Sequence, residues 1–129
     1  MGWPSVLRLR WDGRVIPQDW TPVHRPEDSE LVGYLVPGDA GSTPVTLFGH
    51  PLGGPADDDE AEELLRRRGL AVLADPWWLD GAADEPVRVQ ILSADRTGVV
   101  VARADFGFVS HDAERYRLPV PTDRLRPLR

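Results

Sequence analysis

The chain lacks two residue types on which much protein chemistry depends. None of its 129 residues is cysteine, and all 15 of its basic residues are arginine, so lysine is missing as well. Without cysteine there is no thiolate nucleophile, no disulfide and no cysteine-ligated zinc or iron–sulfur cluster. Without lysine there is no Schiff-base lysine, no P-loop lysine and no Ser–Lys catalytic pair. These absences exclude several classes of enzyme.

Long apolar runs are also missing. The longest is far below the roughly 18 residues that span a bilayer, and the N-terminal segment MGWPSVLRLR lacks the features of a signal peptide. We therefore expect a cytoplasmic protein with no membrane contact. Because 41% of the residues are hydrophobic, we expect one domain over residues 1–129 that folds without a metal or another cofactor.

Short-range alternation of apolar and polar residues is the commonest pattern in the chain. Leu7, Leu9 and Trp11 alternate with arginines before an Asp-Gly turn, which predicts a hairpin that ends at Pro17. Similar patterns predict strands at residues 30–36, 44–48, 70–74, 87–92, 99–101 and 116–120.

One segment has the signals of an α-helix. Asp57 is a candidate N-cap with Glu60 three residues later, and Gly69 stands where a helix-ending glycine belongs. We predict a helix over about residues 58–68 that buries a narrow stripe of Ala61, Leu64 and Leu65 with the stem of Arg68.

These elements predict a mainly β fold of the α+β type. We expect a small antiparallel barrel, or a strongly bent sheet, of about seven or eight short strands with one capping helix. Residues 18–29 contain two prolines and no periodicity, which indicates an irregular surface connection. The polar residues 121–129 are expected to form a flexible tail.

The three histidines do not have the spacing of a metal-binding helix. A metal site built in space from His50, His111 and the carboxylates of Asp57 to Asp59 is the only such candidate, and histidines on the surface or in loops are the simpler interpretation. Ser110, His111 and Asp112 have the residue types of a serine hydrolase triad, but adjacent side chains of a strand point to opposite faces. We predict no bound metal and no catalytic residue.

The aromatic residues lead to the first functional hypothesis. Trp77 and Trp78 are adjacent, so in an extended segment one ring enters the core and the other reaches the surface. Together with Tyr34 and Trp20 they predict a surface that binds a protein or peptide in a non-enzymatic, barrel-like module, compatible with a homodimer. Packing of the core and its rim explains the same tryptophans.

Two alternatives remain open. The first is a small enzyme or ligand-binding barrel that uses His50, Asp57 to Asp59 and His111. The second is RNA binding through an arginine-rich face, because residues 113–129 carry five arginines and Arg88 lies on the polar side of its predicted strand, as do Arg8 and Arg10. A net charge of -6 argues against nucleic acid as a partner.

The segments GYLVPG, LFGHPLG and DPWW occur in a short acidic chain that uses only arginine as its base. In this the chain resembles the small proteins of GC-rich Gram-positive bacteria. The resemblance implies a bacterial source and supplies no mechanism.

Overall fold

The fold was obtained as a computed structural model, which describes residues 16–105 and 107–128. These residues form eight strands in two antiparallel sheets, one α-helix and one short 3-10 helix. The mainly β prediction is confirmed, but within these residues neither sheet closes into a barrel. The hairpin predicted before Pro17 lies outside the described residues. None of the described helices is long and apolar enough to cross a membrane.

The first sheet has three strands in the order β1-β2-β3. Their bounds are β1 Thr21–His24, β2 Leu31–Gly38 and β3 Gly41–Val45. The central strand is buried on both faces. The pairing register shifts between Val23 and His24, which leaves Val32 as an extra residue in β2 and turns it to the same side as Leu35. Tyr34 packs on the opposite side of the sheet.

The predicted helix is confirmed as α1, Asp58–Arg68, and it covers one face of the first sheet. The Asp57 carboxylate accepts a hydrogen bond from the Glu60 backbone N–H at 2.9 Å, as an N-cap does. Gly69 differs from its prediction because its φ is -58°, an ordinary right-handed value. Glycine is needed there because a Cβ atom would collide with the Val32 carbonyl.

The second sheet has five strands in the order β7-β6-β5-β4-β8. Their bounds are β4 Pro76–Leu79, β5 Val87–Asp95, β6 Gly98–Arg103, β7 Arg115–Leu118 and β8 Leu125–Pro127. One face of this sheet carries the largest core cluster, and Phe48, from the segment after β3, packs into that cluster. The backbone N–H of Thr122 donates to the Phe48 carbonyl at 3.0 Å, which ties this segment to the chain that precedes β8.

Three segments differ from the sequence-based expectation. Residues 18–29 contain strand β1, whose Pro22 is tolerated because β1 is an edge strand. Residues 121–129 contain strand β8, which pairs with β4 and buries Leu125. Residues 70–74 form the 3-10 helix Ala71–Ala74 rather than a strand, because a short apolar run does not distinguish the two by its periodicity.

Candidate functional site

A cleft of about 510 Å³ opens where four segments of the chain meet. These segments are the loop after β3, the end of α1, the 3-10 helix with the start of β4, and the end of β8. We call it the His50 cleft. Its polar lining residues are His50, Arg68 and Asp75, and its apolar ones include Leu52, Val72, Pro76, Trp77 and Pro127. Its volume is typical of sites that bind small molecules or single side chains.

Trp77 forms a rigid side of the His50 cleft. Its indole N–H donates to the Val72 carbonyl at 3.0 Å, and only 3% of the residue is exposed. The ring meets Phe48 edge-on at a centroid distance of 5.0 Å and His50 in a similar arrangement at 5.1 Å. Such edge-to-face packing fixes both partners, so the aromatic side of the cleft is preorganised.

The backbone of His50 is held by the fully buried residue Thr46. The Thr46 hydroxyl accepts the His50 N–H at 3.0 Å, and the Thr46 N–H donates to the His50 carbonyl at 2.8 Å. Partial burial lowers the pKa of His50 below its ordinary value, so the imidazole is neutral at pH 7. The ring makes no hydrogen bond with any other described residue. It therefore offers one donor and one acceptor nitrogen to a ligand.

Arg68 and Asp75 supply one charge of each sign to the cleft. Arg68 lies in the last turn of α1, and Asp75 follows the 3-10 helix in an extended conformation. Within the described ranges, neither side chain takes part in an ion pair. Both charges are therefore available to groups that enter the cleft.

Three of the four aromatic residues predicted to form a binding surface are buried instead. Trp20 is 3% exposed and Tyr34 is 1% exposed, and their rings pack together with centroids 6.1 Å apart. The Tyr34 hydroxyl is buried without a hydrogen-bond partner in the described part of the chain, and desolvation raises its pKa. Trp77 is likewise a core residue, and it borders the cleft without being exposed on the surface. Trp78 alone is partly exposed, on the opposite face of β4.

The residues predicted as weak metal ligands are not brought together. Within residues 16–105 and 107–128, no group of three or more His, Asp or Glu side chains could hold a metal ion. Asp57 caps α1, while His111 lies in the exposed loop between β6 and β7. In that loop the Ser110 hydroxyl donates directly to the Asp112 carboxylate at 3.2 Å, so His111 does not stand between them as a triad requires.

Sequence reasoning did not identify Arg68 or Asp75 as site residues, and it assigned Pro127 to a flexible tail. No spacing could have revealed them, because the lining residues come from segments far apart in the chain. His50 was recognised, but with partners that lie elsewhere.

The predicted arginine-rich face is found in part. Arg88 and three arginines of residues 113–129 lie on the outer face of the second sheet, at strand positions that alternate with core residues. Arg8 and Arg10 lie outside the described residues.

Comparison with known proteins adds no functional information. The chain matches no protein-family model, no curated protein and no solved structure.

Proposed function

We propose that this protein is a non-enzymatic binding module that holds a short peptide segment of a partner protein, with an apolar side chain of that segment in the His50 cleft. The observation that carries the proposal is the combination of a rigid aromatic side with three polar side-chain groups that have no partner among the described residues. Those groups are the neutral His50 ring, the Arg68 guanidinium and the Asp75 carboxylate.

Each part of the cleft suits a peptide. The indole of Trp77 and the ring of Pro76 offer apolar surface to a side chain without requiring either to reorganise. Arg68 can donate to a backbone carbonyl or a carboxylate, and Asp75 can accept a backbone N–H. A peptide bound in this way replaces the hydration of both charged groups with hydrogen bonds.

The enzyme alternative depends on His50 alone. A neutral imidazole with a lowered pKa can accept a proton, which is the observation in its favour. Asp57 and His111, the other residues of that hypothesis, do not line the cleft. A histidine that no described residue orients supports binding better than catalysis.

Selection from a library of displayed random peptides tests the proposal. We expect the enriched peptides to share one large apolar residue and to bind the purified protein in an anisotropy titration. Arg68→Gln and Asp75→Asn should each weaken that binding about 10-fold to 100-fold, the effect of losing one hydrogen bond to a charged group.

Arg67→Gln is the matched control, because Arg67 precedes Arg68 in α1 but does not line the His50 cleft. Its affinity should equal that of the unmodified protein. Failure to enrich any peptide would contradict the proposal. So would enriched peptides whose affinity is the same for all three variants.

A further inference from the structure

The outer face of the second sheet combines one tryptophan with four arginines. We call it the arginine face and define it by Trp78, Arg88, Arg115, Arg117 and Arg126. The strand register places Trp78 directly beside Arg88 of β5 on one side and Arg126 of β8 on the other. Arg115 and Arg117 lie on β7, opposite Ala102 and Val100 of β6. All five side chains belong to positions that point away from the core.

The charges on this face are mostly uncompensated. Arg126 is neutralised by Asp80, with N···O distances of 2.8 and 3.2 Å. Arg117 donates to the Thr97 hydroxyl at 3.2 Å, and neither it nor Arg115 forms an ion pair with a described residue. Three of the four cations therefore make no ion pair within the described part of the chain, although Arg117 interacts electrostatically with Asp95.

Arg88 is a partly exposed cation beside Trp78 on this face. Its Nε–H is buried and has no hydrogen-bond partner among the described residues. Because this atom is shielded by the protein, an external anion would contact the other nitrogens of the guanidinium group. Because Trp78 is its direct neighbour on β4, an anion on Arg88 would lie beside a partly exposed aromatic ring.

We propose that the arginine face binds single-stranded nucleic acid, with phosphates on Arg88, Arg115 and Arg117 and a base stacked on Trp78. Proteins that bind single strands combine a cationic track for the backbone with aromatic rings for the bases. An acidic peptide would pair with the arginines but would leave Trp78 without a role. Arg115 pairs with Ala102, which pairs with Gln90, so two strand spacings, or about 10 Å, separate the backbones of Arg115 and Gln90. Arg88 lies two residues from Gln90 on the same face of β5, so the cations span more than one nucleotide.

The distribution of charge removes the objection that the whole chain is acidic. Residues 16–75 carry twelve acids against four arginines, whereas residues 76–128 carry eight acids against seven arginines. The excess of negative charge therefore belongs to the first sheet and α1, while the outer face of the second sheet is locally cationic. This site is separate from the His50 cleft and does not depend on the function proposed there.

The test is an anisotropy titration of fluorescein-labelled oligothymidylate and oligouridylate of about 15 nucleotides with the full chain, at several salt concentrations. We expect binding at low salt that weakens as salt rises. The double variant Arg115→Gln/Arg117→Gln should lower the slope of log affinity against log salt by about 1.4, which is about 0.7 for each phosphate contact. Trp78→Leu should weaken binding about tenfold and leave that slope unchanged, because it removes stacking and no charge.

The control is Arg66→Gln/Arg67→Gln, which removes the same charge from α1 and should leave both affinity and slope unchanged. Absence of binding at low salt would overturn the proposal, as would an equal loss of affinity in the control. Displacement of the oligonucleotide by an equal concentration of a glutamate-rich peptide would also overturn it, and would assign the face to an acidic polypeptide. Circular dichroism of each variant shows that it is folded.

Discussion

The two sheets of this protein differ in how many of their faces are buried. In the first sheet, residues 32–36 of β2 are all buried, because α1 covers one face and the cluster around Trp20 covers the other. In the second sheet the inner face carries the core, the outer face is covered only in part, and β5 begins with a regular alternation of buried and half-buried residues. A continuous apolar run therefore indicates a strand that is buried on both faces, and an alternating run indicates a strand with one face towards the solvent.

The charges follow the same division. The first sheet and α1 contain most of the acidic excess, while the outer face of the second sheet carries the arginine face. The His50 cleft lies where the two regions meet and draws on both, because Arg68 comes from α1 and Trp77 from β4.

We expect the largest difference in stability between substitutions of Trp77 and Trp78, which lie on opposite faces of β4. Trp77→Ala removes a buried ring, its hydrogen bond to Val72 and its contacts with Phe48 and His50, so we expect a loss of about 3–5 kcal/mol in the free energy of unfolding. Trp78→Ala should cost less than about 1 kcal/mol, because that ring is already partly in solvent. Urea denaturation measures both values, and equal losses would contradict the assignment of the two faces.

The attachment of α1 to the first sheet provides the second prediction. Leu65 is fully buried against the sheet, whereas its neighbour Leu64 is half-buried. Leu65→Ala should therefore cost about 2–5 kcal/mol in the same denaturation measurement, and Leu64→Ala clearly less. If the two substitutions were equally harmful, the helix would bury a different stripe from the one described.

The start of α1 provides a smaller and more specific effect. Asp57→Ala should lower the free energy of unfolding by about 1 kcal/mol, because it removes the hydrogen bond from the Glu60 N–H. Asp57→Asn keeps an oxygen that can accept this bond and should be nearly neutral. A loss that was the same for both would show that the charge of Asp57 matters and that its capping bond does not.

The smallest expected effect depends on pH. Burial lowers the pKa of folded His50 below the ordinary value of 6.5, so the unfolded chain takes up a proton first as pH falls. The stabilisation linked to His50 is therefore complete above about pH 6.5 and declines as pH falls through the folded pKa. NMR titration of the imidazole gives the midpoint, and the His50→Gln variant should lack this part of the pH dependence. A midpoint at or above 6.5 would refute the burial of this ring.

Local signals in the sequence predicted the elements that depend on neighbouring residues. The bounds of α1 follow from the cap at Asp57 and from the acidic first turn, and both act within a few residues. The strands of the β2–β3 and β5–β6 hairpins were predicted from apolar patterns that lie within each strand. Pairing of β2 with β3 continues to Gly38 and Gly41, beyond the predicted strand ends at residues 36 and 44.

Elements that depend on distant partners were not predicted. Strand β1 contains Pro22 and β8 is only three residues long, so neither has enough local pattern to be recognised without the strand beside it. The burial of Tyr34 was missed for a related reason. An aromatic residue in a strand suits either a core or a binding surface, and only the packing of Trp20 against it decides between them.

By itself the sequence determined that no cysteine thiol or lysine amine takes part in the chemistry of this protein, that the fold is mainly β, and that it contains one capped helix. These are properties of composition and of short-range order. The tertiary structure decided which tryptophan of the adjacent pair is buried, which arginines share a face, and that His50 lies with Arg68 and Asp75 rather than with Asp57 and His111. The physical reason is that strand pairing and side-chain packing join residues that are far apart in the chain. Local periodicity does not determine which strands pair with each other.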